Sequence, residues 1–153
     1  MKTTLKCLVP LLILISCSGN DVAPFSKDYG TFQGSIQVVD DPSTQLGYIE
    51  NAKVSVAVNG AVANIKIKGD LGFEREFLGK VSSAQADFAN VSFEQQTKPT
   101  EKITAGYIVI DNNSLTITLS IANDQVSVRN STASATIVID GKLSMIGTDL
   151  LKQ

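Results

Sequence analysis

The chain has 153 residues, 18% of them charged, with 13 Lys plus Arg against 15 Asp plus Glu and a formal net charge of −2. Nothing in that balance makes the basic field that a nucleic acid needs, so nucleic-acid binding is not expected. Histidine and tryptophan are absent and only two cysteines occur, which excludes Ser-His-Asp and Cys-His nucleophilic sets, histidine as a metal ligand, and indole as a stacking platform.

In chain order, Lys2 and Lys6 open the sequence and Leu8 to Ile15 is almost wholly apolar, interrupted only by Pro10. These are the charged and apolar parts of a secretory leader, and the apolar run is far short of the roughly 20 residues that span a bilayer as a helix. Leu14-Ile15-Ser16-Cys17 closes it. This run resembles the lipobox of bacterial lipoproteins. The resemblance implies that the Cys17 thiol takes a diacylglycerol, that residues 1–16 are cleaved, and that the new amino group is acylated. Because each buried CH₂ contributes about 0.8 kcal/mol, several acyl chains would make the anchor close to permanent. The mature chain would carry eleven basic and fifteen acidic residues and, with Cys7 removed and Cys17 lipidated, no thiol for a disulfide.

Residues 17–28, with Ser18-Gly19-Asn20-Asp21 and Pro24, read as a lipidated terminus and polar linker, and 29–153 as a single β domain. Surface-exported lipoproteins of the Bacteroidetes are similar in placing an acidic cluster just after the anchor. Here Asp21 stands alone, so the expected location is the outer membrane, on its periplasmic face or at the cell surface.

Thr31 to Val39 is the first expected strand, followed by a loop at Asp40-Asp41-Pro42-Ser43. Ala52 to Val58 places Val54, Val56 and Val58 on one face, Asn59-Gly60 is a type I′ hairpin signature, Val62 to Lys68 returns with Ile65 and Ile67 inward, and Gly69-Asp70 turns the chain again. Residues 73–90 fit either one helical turn capped by serine or a strand edge with a bulge. Val91-Ser92-Phe93 is a short strand. Ile103 to Ile110 and Ser114 to Ala122 form a hairpin around Asp111-Asn112-Asn113, with Leu115, Ile117, Leu119 and Ile121 on one face. Asn123-Asp124 is expected to turn the chain into Gln125 to Arg129. Ser134 to Ile139 and Lys142 to Ile146 are expected to flank a hairpin turn at Asp140-Gly141.

The whole is an all-β antiparallel meander of about eight or nine strands, which suits an up-and-down barrel or, as the alternative, a two-sheet sandwich. Segments 105–110 and 133–139 are apolar on both faces, fitting a cavity lining or a second layer. Tyr29-Gly30-Thr31-Phe32-Gln33-Gly34 resembles the opening strand of the calycin-like (lipocalin-like) domains of Bacteroidetes lipoproteins, with Phe32 where lipocalins have tryptophan. The resemblance implies a barrel over about residues 29–153 and points to Arg129 as the late arginine that covers this aromatic.

Phe32 and Tyr107 are the candidate pocket residues, although in a domain of this size most aromatics belong to the core. The acid pairs Asp40-Asp41 and Glu74/Glu76 are more simply a turn and a solvated face than the two carboxylates, about 5–10 Å apart across a cleft, of a glycosidase. Asp111-Asn112-Asn113 and Asp140-Gly141 fit hairpin turns better than calcium loops. No cofactor or metal is expected. The reading is a non-enzymatic module that binds a small apolar ligand or a peptide. The alternative is an envelope protein, adhesin-type subunit or inhibitor acting through its surface.

Overall fold

The computed structural model describes residues 25–40, 44–93, 103–130 and 136–153. Eight antiparallel strands run in chain order and close on themselves: β1 (Ser26–Asp40), β2 (Thr44–Asn59), β3 (Val62–Lys68), β4 (Glu74–Ala84), β5 (Phe88–Phe93), β6 (Ile103–Asp111), β7 (Ser114–Arg129) and β8 (Thr136–Lys152). Each pairs with its neighbour, and β8 returns to β1, so the alternative of two separate sheets is set aside in favour of a barrel.

The apolar alternation carries the closure. Phe32, Ile36, Val54, Val56, Ile65, Ile67, Ile108, Ile110, Leu115, Ile117, Leu119 and Ile121 are all fully buried in one core, while their sequence neighbours point outward. Inward residues from the strands thus share one apolar interior. Among the described residues no buried side-chain polar atom lacks a partner.

Several expected boundaries shift. β1 begins at Ser26, inside the segment read as linker. Residues 73–90 hold β4 and the start of β5, with a register shift between Val81 and Ser83, so the strand-and-bulge option is the observed one. Asn123-Asp124 is not a turn. β7 runs through it and absorbs it as a register shift between Ile121 and Asp124. Asp140-Gly141 is likewise inside β8, paired with Gln125 and Asp124. In both places a turn-prone dipeptide is overridden because the opposing strand continues the ladder. β7 instead runs on to Arg129, and β8 begins at Thr136.

Strand lengths shape the molecule. β1, β2, β7 and β8 have 15, 16, 16 and 17 residues, whereas β3 to β6 have 7, 11, 6 and 9. Past the ends of the short strands β2 meets β7 directly, at Tyr48 opposite Arg129. The wall there narrows from eight strands towards the four long ones. Gly47 permits this approach: a Cβ at that position would collide with the Arg129 carbonyl oxygen and stand 2.8 Å from Val128 Cγ2.

The meander also gives the barrel two unlike ends. One collects the start of β1, the end of β8 and the tight turns β2–β3, β4–β5 and β6–β7; the other collects the β1–β2, β3–β4, β5–β6 and β7–β8 connections. Tyr29 closes the first end. Its ring is buried and its hydroxyl is shared between the Gln85 and Phe88 carbonyls, at 2.6 and 2.9 Å. Gly30, at φ 84°, makes the bulge that turns Tyr29 inward, and its N–H donates to Asp28 Oδ1 at 2.8 Å.

Candidate ligand-binding lumen and its rim

Phe32, the first sequence-derived pocket candidate, stands on the inner face of β1 and is fully buried. Tyr107, the second, does not join it. β6 turns Ile108 and Ile110 inward, which forces Tyr107 outward by the period of two, and it is 46% exposed on the barrel wall. The segment looked apolar on both faces because Val109 and Tyr107 occupy its outer side. Their outward neighbours are polar: Tyr107 lies opposite Ser92 on β5 and Thr118 on β7, and Val109 opposite Asn90 on β5 and Thr116 on β7.

The lining narrows at three inward alanines, Ala52, Ala63 and Ala89, all fully buried. Ala63 lies opposite Gly79 of β4, so the wall is thinnest of side chains where β3 meets β4. The same strand departs from the others in burial. Its inward row, Arg75, Phe77 and Val81, is only half buried, and Phe77 and Val81 pack against the core from this edge. Ala63 and Gly79 lie near the β2–β3 turn, whereas Phe77 and Arg75 carry the same row of β4 towards the opposite end, the rim.

Sequence reasoning missed the polar rim itself. Arg75 spans from β4 to β7: Nη2–H donates to the Gln125 carbonyl at 3.1 Å, Nη1–H to the Glu74 carbonyl at 2.7 Å, and the guanidinium lies 5.0 Å from the Phe73 ring centroid. That stacking contributes about 0.5–1 kcal/mol at a partly exposed site. Beside it, Asp70 accepts from Arg129 Nε at 2.9 Å and from the Glu50 N–H at 3.2 Å, while Glu50 Oε2 stands 3.8 Å from the same Arg129 nitrogen. The Asp70 carboxylate, and secondarily that of Glu50, push the Arg129 guanidinium above its ordinary value. Arg129 is therefore a strut between β7 and the β3–β4 turn. It does not cover Phe32 as the lipocalin resemblance implied. The only signal in the sequence was Gly69-Asp70, read simply as a turn.

The other candidates resolve as surface. Glu74 is held by Lys66 and Lys68, each at 3.1 Å, and these two ammonium groups, Lys66 first, keep its carboxyl below the usual range. Glu76 accepts from Asn64 Nδ2 at 2.7 Å. Both acids are exposed on the outer face of β4. Asp40 is exposed at the end of β1, and Asp41 lies outside the described residues. Asp111-Asn112-Asn113 makes the β6–β7 turn, with Asn112 at φ 53° and the Ser114 hydroxyl donating to the Asp111 carbonyl at 3.1 Å. The side chains of Asp140-Gly141, and Cys17 with the whole leader, lie outside the described residues.

Among the described residues no three acids or cysteines gather as a metal site, and no helix is long and apolar enough to cross a membrane. Comparison of the chain with protein-family models, with curated proteins and with solved structures finds no match.

Proposed function

We propose that the chain is a membrane-anchored lipoprotein of the calycin-like kind, and that its barrel binds a small apolar ligand, or an apolar peptide segment, without catalysing a reaction. The observation that carries this reading is the lining: eight strands converge on an interior of Val, Ile, Leu, Phe and Ala, and that lining reaches the rim along the half-buried row of β4. A barrel of eight strands is the size that is either just filled by its own side chains or holds one small ligand. The small residues Ala63 and Gly79 beside Phe77 favour the second. Behind Arg75 at the rim, the apolar lining selects for apolar matter, since a buried charge would lose its hydration without a counter-charge.

Titration with N-phenyl-1-naphthylamine, a neutral apolar fluorophore, tests it. Saturable enhancement is expected for the native barrel, with affinity about tenfold weaker or worse in Ala63→Phe, where the added ring occupies the thin part of the wall. Non-saturable enhancement, or equal affinity in a folded Ala63→Phe protein, would sink the reading.

A second reading, action through the outer surface, draws on a different observation. The outward row Ser92, Tyr107, Thr118, Ile146 across β5 to β8 carries no charge, whereas β3 and β4 are outwardly laced with Lys66, Lys68, Glu74, Glu76 and Lys80. Interface centres are depleted of charge and enriched in tyrosine. Under this reading Tyr107→Arg abolishes partner capture while leaving fluorophore uptake unchanged.

A further inference from the structure

The unlike ends of the barrel carry an inference about how it stands on the membrane, which rests on the reading of Cys17 as the lipidated residue. We propose that the tight-turn end of the barrel lies against the lipid surface, with Phe25 and Val62 in the headgroup layer, so that the rim at Arg75 and Asp70 faces away from the bilayer.

Three observations meet at that end. First, the described chain enters there, and it is pinned at once: the Gly60 N–H donates to the Phe25 carbonyl at 2.8 Å, fixing Phe25 beside the β2–β3 turn. Eight peptide steps separate Cys17 from Phe25, an upper reach of about 28 Å when fully extended. The rim lies a further barrel height away, about 18 Å for a seven-residue strand at the usual tilt. That reach exceeds the barrel height, so the anchor brings the tight-turn end to the lipid without fixing it there, and the side chains at that end decide which way the barrel stands.

Second, the exposed apolar side chains are unevenly placed. Of the six large ones among the described residues, Phe25 (40%), Val62 (49%) and Leu151 (60%) belong to the start of β1, the start of β3 and the end of β8, all at this end. Leu71 is at the other end, and Leu78 and Tyr107 are on the walls. A shallow groove of about 260 Å³, lined in part by Ala57, Val58 and Val62, adjoins Ser26 and Lys27 at the same place. An aromatic ring and aliphatic side chains on a tethered body gain by entering the interfacial layer, and the tether has already met the cost of bringing them there.

Third, this end carries charges of both signs, Lys27 and Lys152 with Asp28, Asp87 and Asp111. The attraction is therefore apolar, not electrostatic, and zwitterionic lipid suffices. The Tyr29 seal lies on the lipid side, so an apolar ligand reaches the lumen from the aqueous side at the rim and not by passage from the bilayer beneath.

The test uses the full-length lipidated protein in phosphatidylcholine vesicles containing nitroxide-headgroup lipid. The mature chain would have no free thiol, so single cysteines report position: Ala61→Cys and Ala86→Cys at the tight-turn end, Thr44→Cys and Thr136→Cys at the other, each carrying a fluorophore. Quenching about twofold or more stronger at 61 and 86 is expected, from the difference in distance of the two ends from the interface. In Phe25→Asp with Val62→Asp the difference should collapse, because the barrel then turns freely on its tether. Equal or reversed quenching in the native background overturns the proposal, as does an undiminished difference in the double variant. Intact mass separates the two ideas. An unmodified Cys17 removes the anchor reading and the orientation with it; an acylated Cys17 with reversed quenching removes the orientation alone.

Discussion

Tyr29 shows how one residue holds an end of the barrel. Its hydroxyl reaches both the Gln85 and the Phe88 carbonyls, and burial pushes the phenol above its ordinary value near 10, with the Asp87 charge adding to this. In the unfolded chain the phenol ionises at its ordinary value while the folded one stays neutral. This contribution is therefore complete below pH 10 and is lost as pH rises through the folded value. Tyr29→Phe should cost about 0.5–1.5 kcal/mol in urea unfolding at neutral pH, and should flatten the fall in stability above pH 10; an unchanged alkaline limb would assign that fall elsewhere. Asp70 and Arg129 differ in weight although they share a bond. Arg129 is 44% exposed at its side chain, Asp70 only 17%, and Asp70 also caps the Glu50 N–H. Asp70→Ala should cost about 1–2 kcal/mol, and Arg129→Ala less because its guanidinium is solvated, both read from the shift in denaturation midpoint. None of this network was legible in the sequence, since Arg129, Asp70 and Glu50 are brought together by barrel closure and not by spacing. Phe32 was legible, because it lies on the buried side of an alternating strand. Tyr107 was misplaced because an outward Tyr and Val give β6 the composition of a strand buried on both sides.

At the scale of elements, β3 was readable to the residue, because Asn59-Gly60 and Gly69-Asp70 bracket a clean alternation. β7 and β8 were each read as two strands. Asn123-Asp124 and Asp140-Gly141 have the chemistry of turns, but they sit in the facing arms of one hairpin, where Asp124 lies opposite Gly141 and Gln125 opposite Asp140. A local signal cannot report that its partner strand continues past it. The same two long strands make the closure against β2, and Gly47 is the sensitive point. Gly47→Val should destabilise by about 1–3 kcal/mol or more through overpacking, and hydrogen exchange should rise first at residues 125–129, whose inward Val126 and Val128 depend on that contact. Uniformly faster exchange over the whole barrel, or none at all, would show that β2 and β7 are not locally coupled there.

At the scale of the molecule, packing carries the stability. Without a disulfide in the mature chain as read from its sequence, the core of fully buried aliphatics must suffice, and Ile117→Ala at its centre should cost about 2–5 kcal/mol in calorimetric or denaturant unfolding. The all-β class and the meander followed from period-two alternation and regular Gly, Asn and Asp punctuation. Closure into a barrel did not, because a sandwich needs the same strands, and only the pairing of β8 with β1 decides it. The reading joins that barrel to an anchor at Cys17 and a ligand in its lumen. Native mass spectrometry of the protein extracted from the membranes of its own host tests the combination most directly. The account predicts a polypeptide beginning at Cys17 with covalent acyl mass, plus a further apolar mass that departs on gentle collisional activation and is missing from Ala63→Phe. A native barrel that carries its acyl chains and nothing else, and that takes up no added apolar probe, would contradict it.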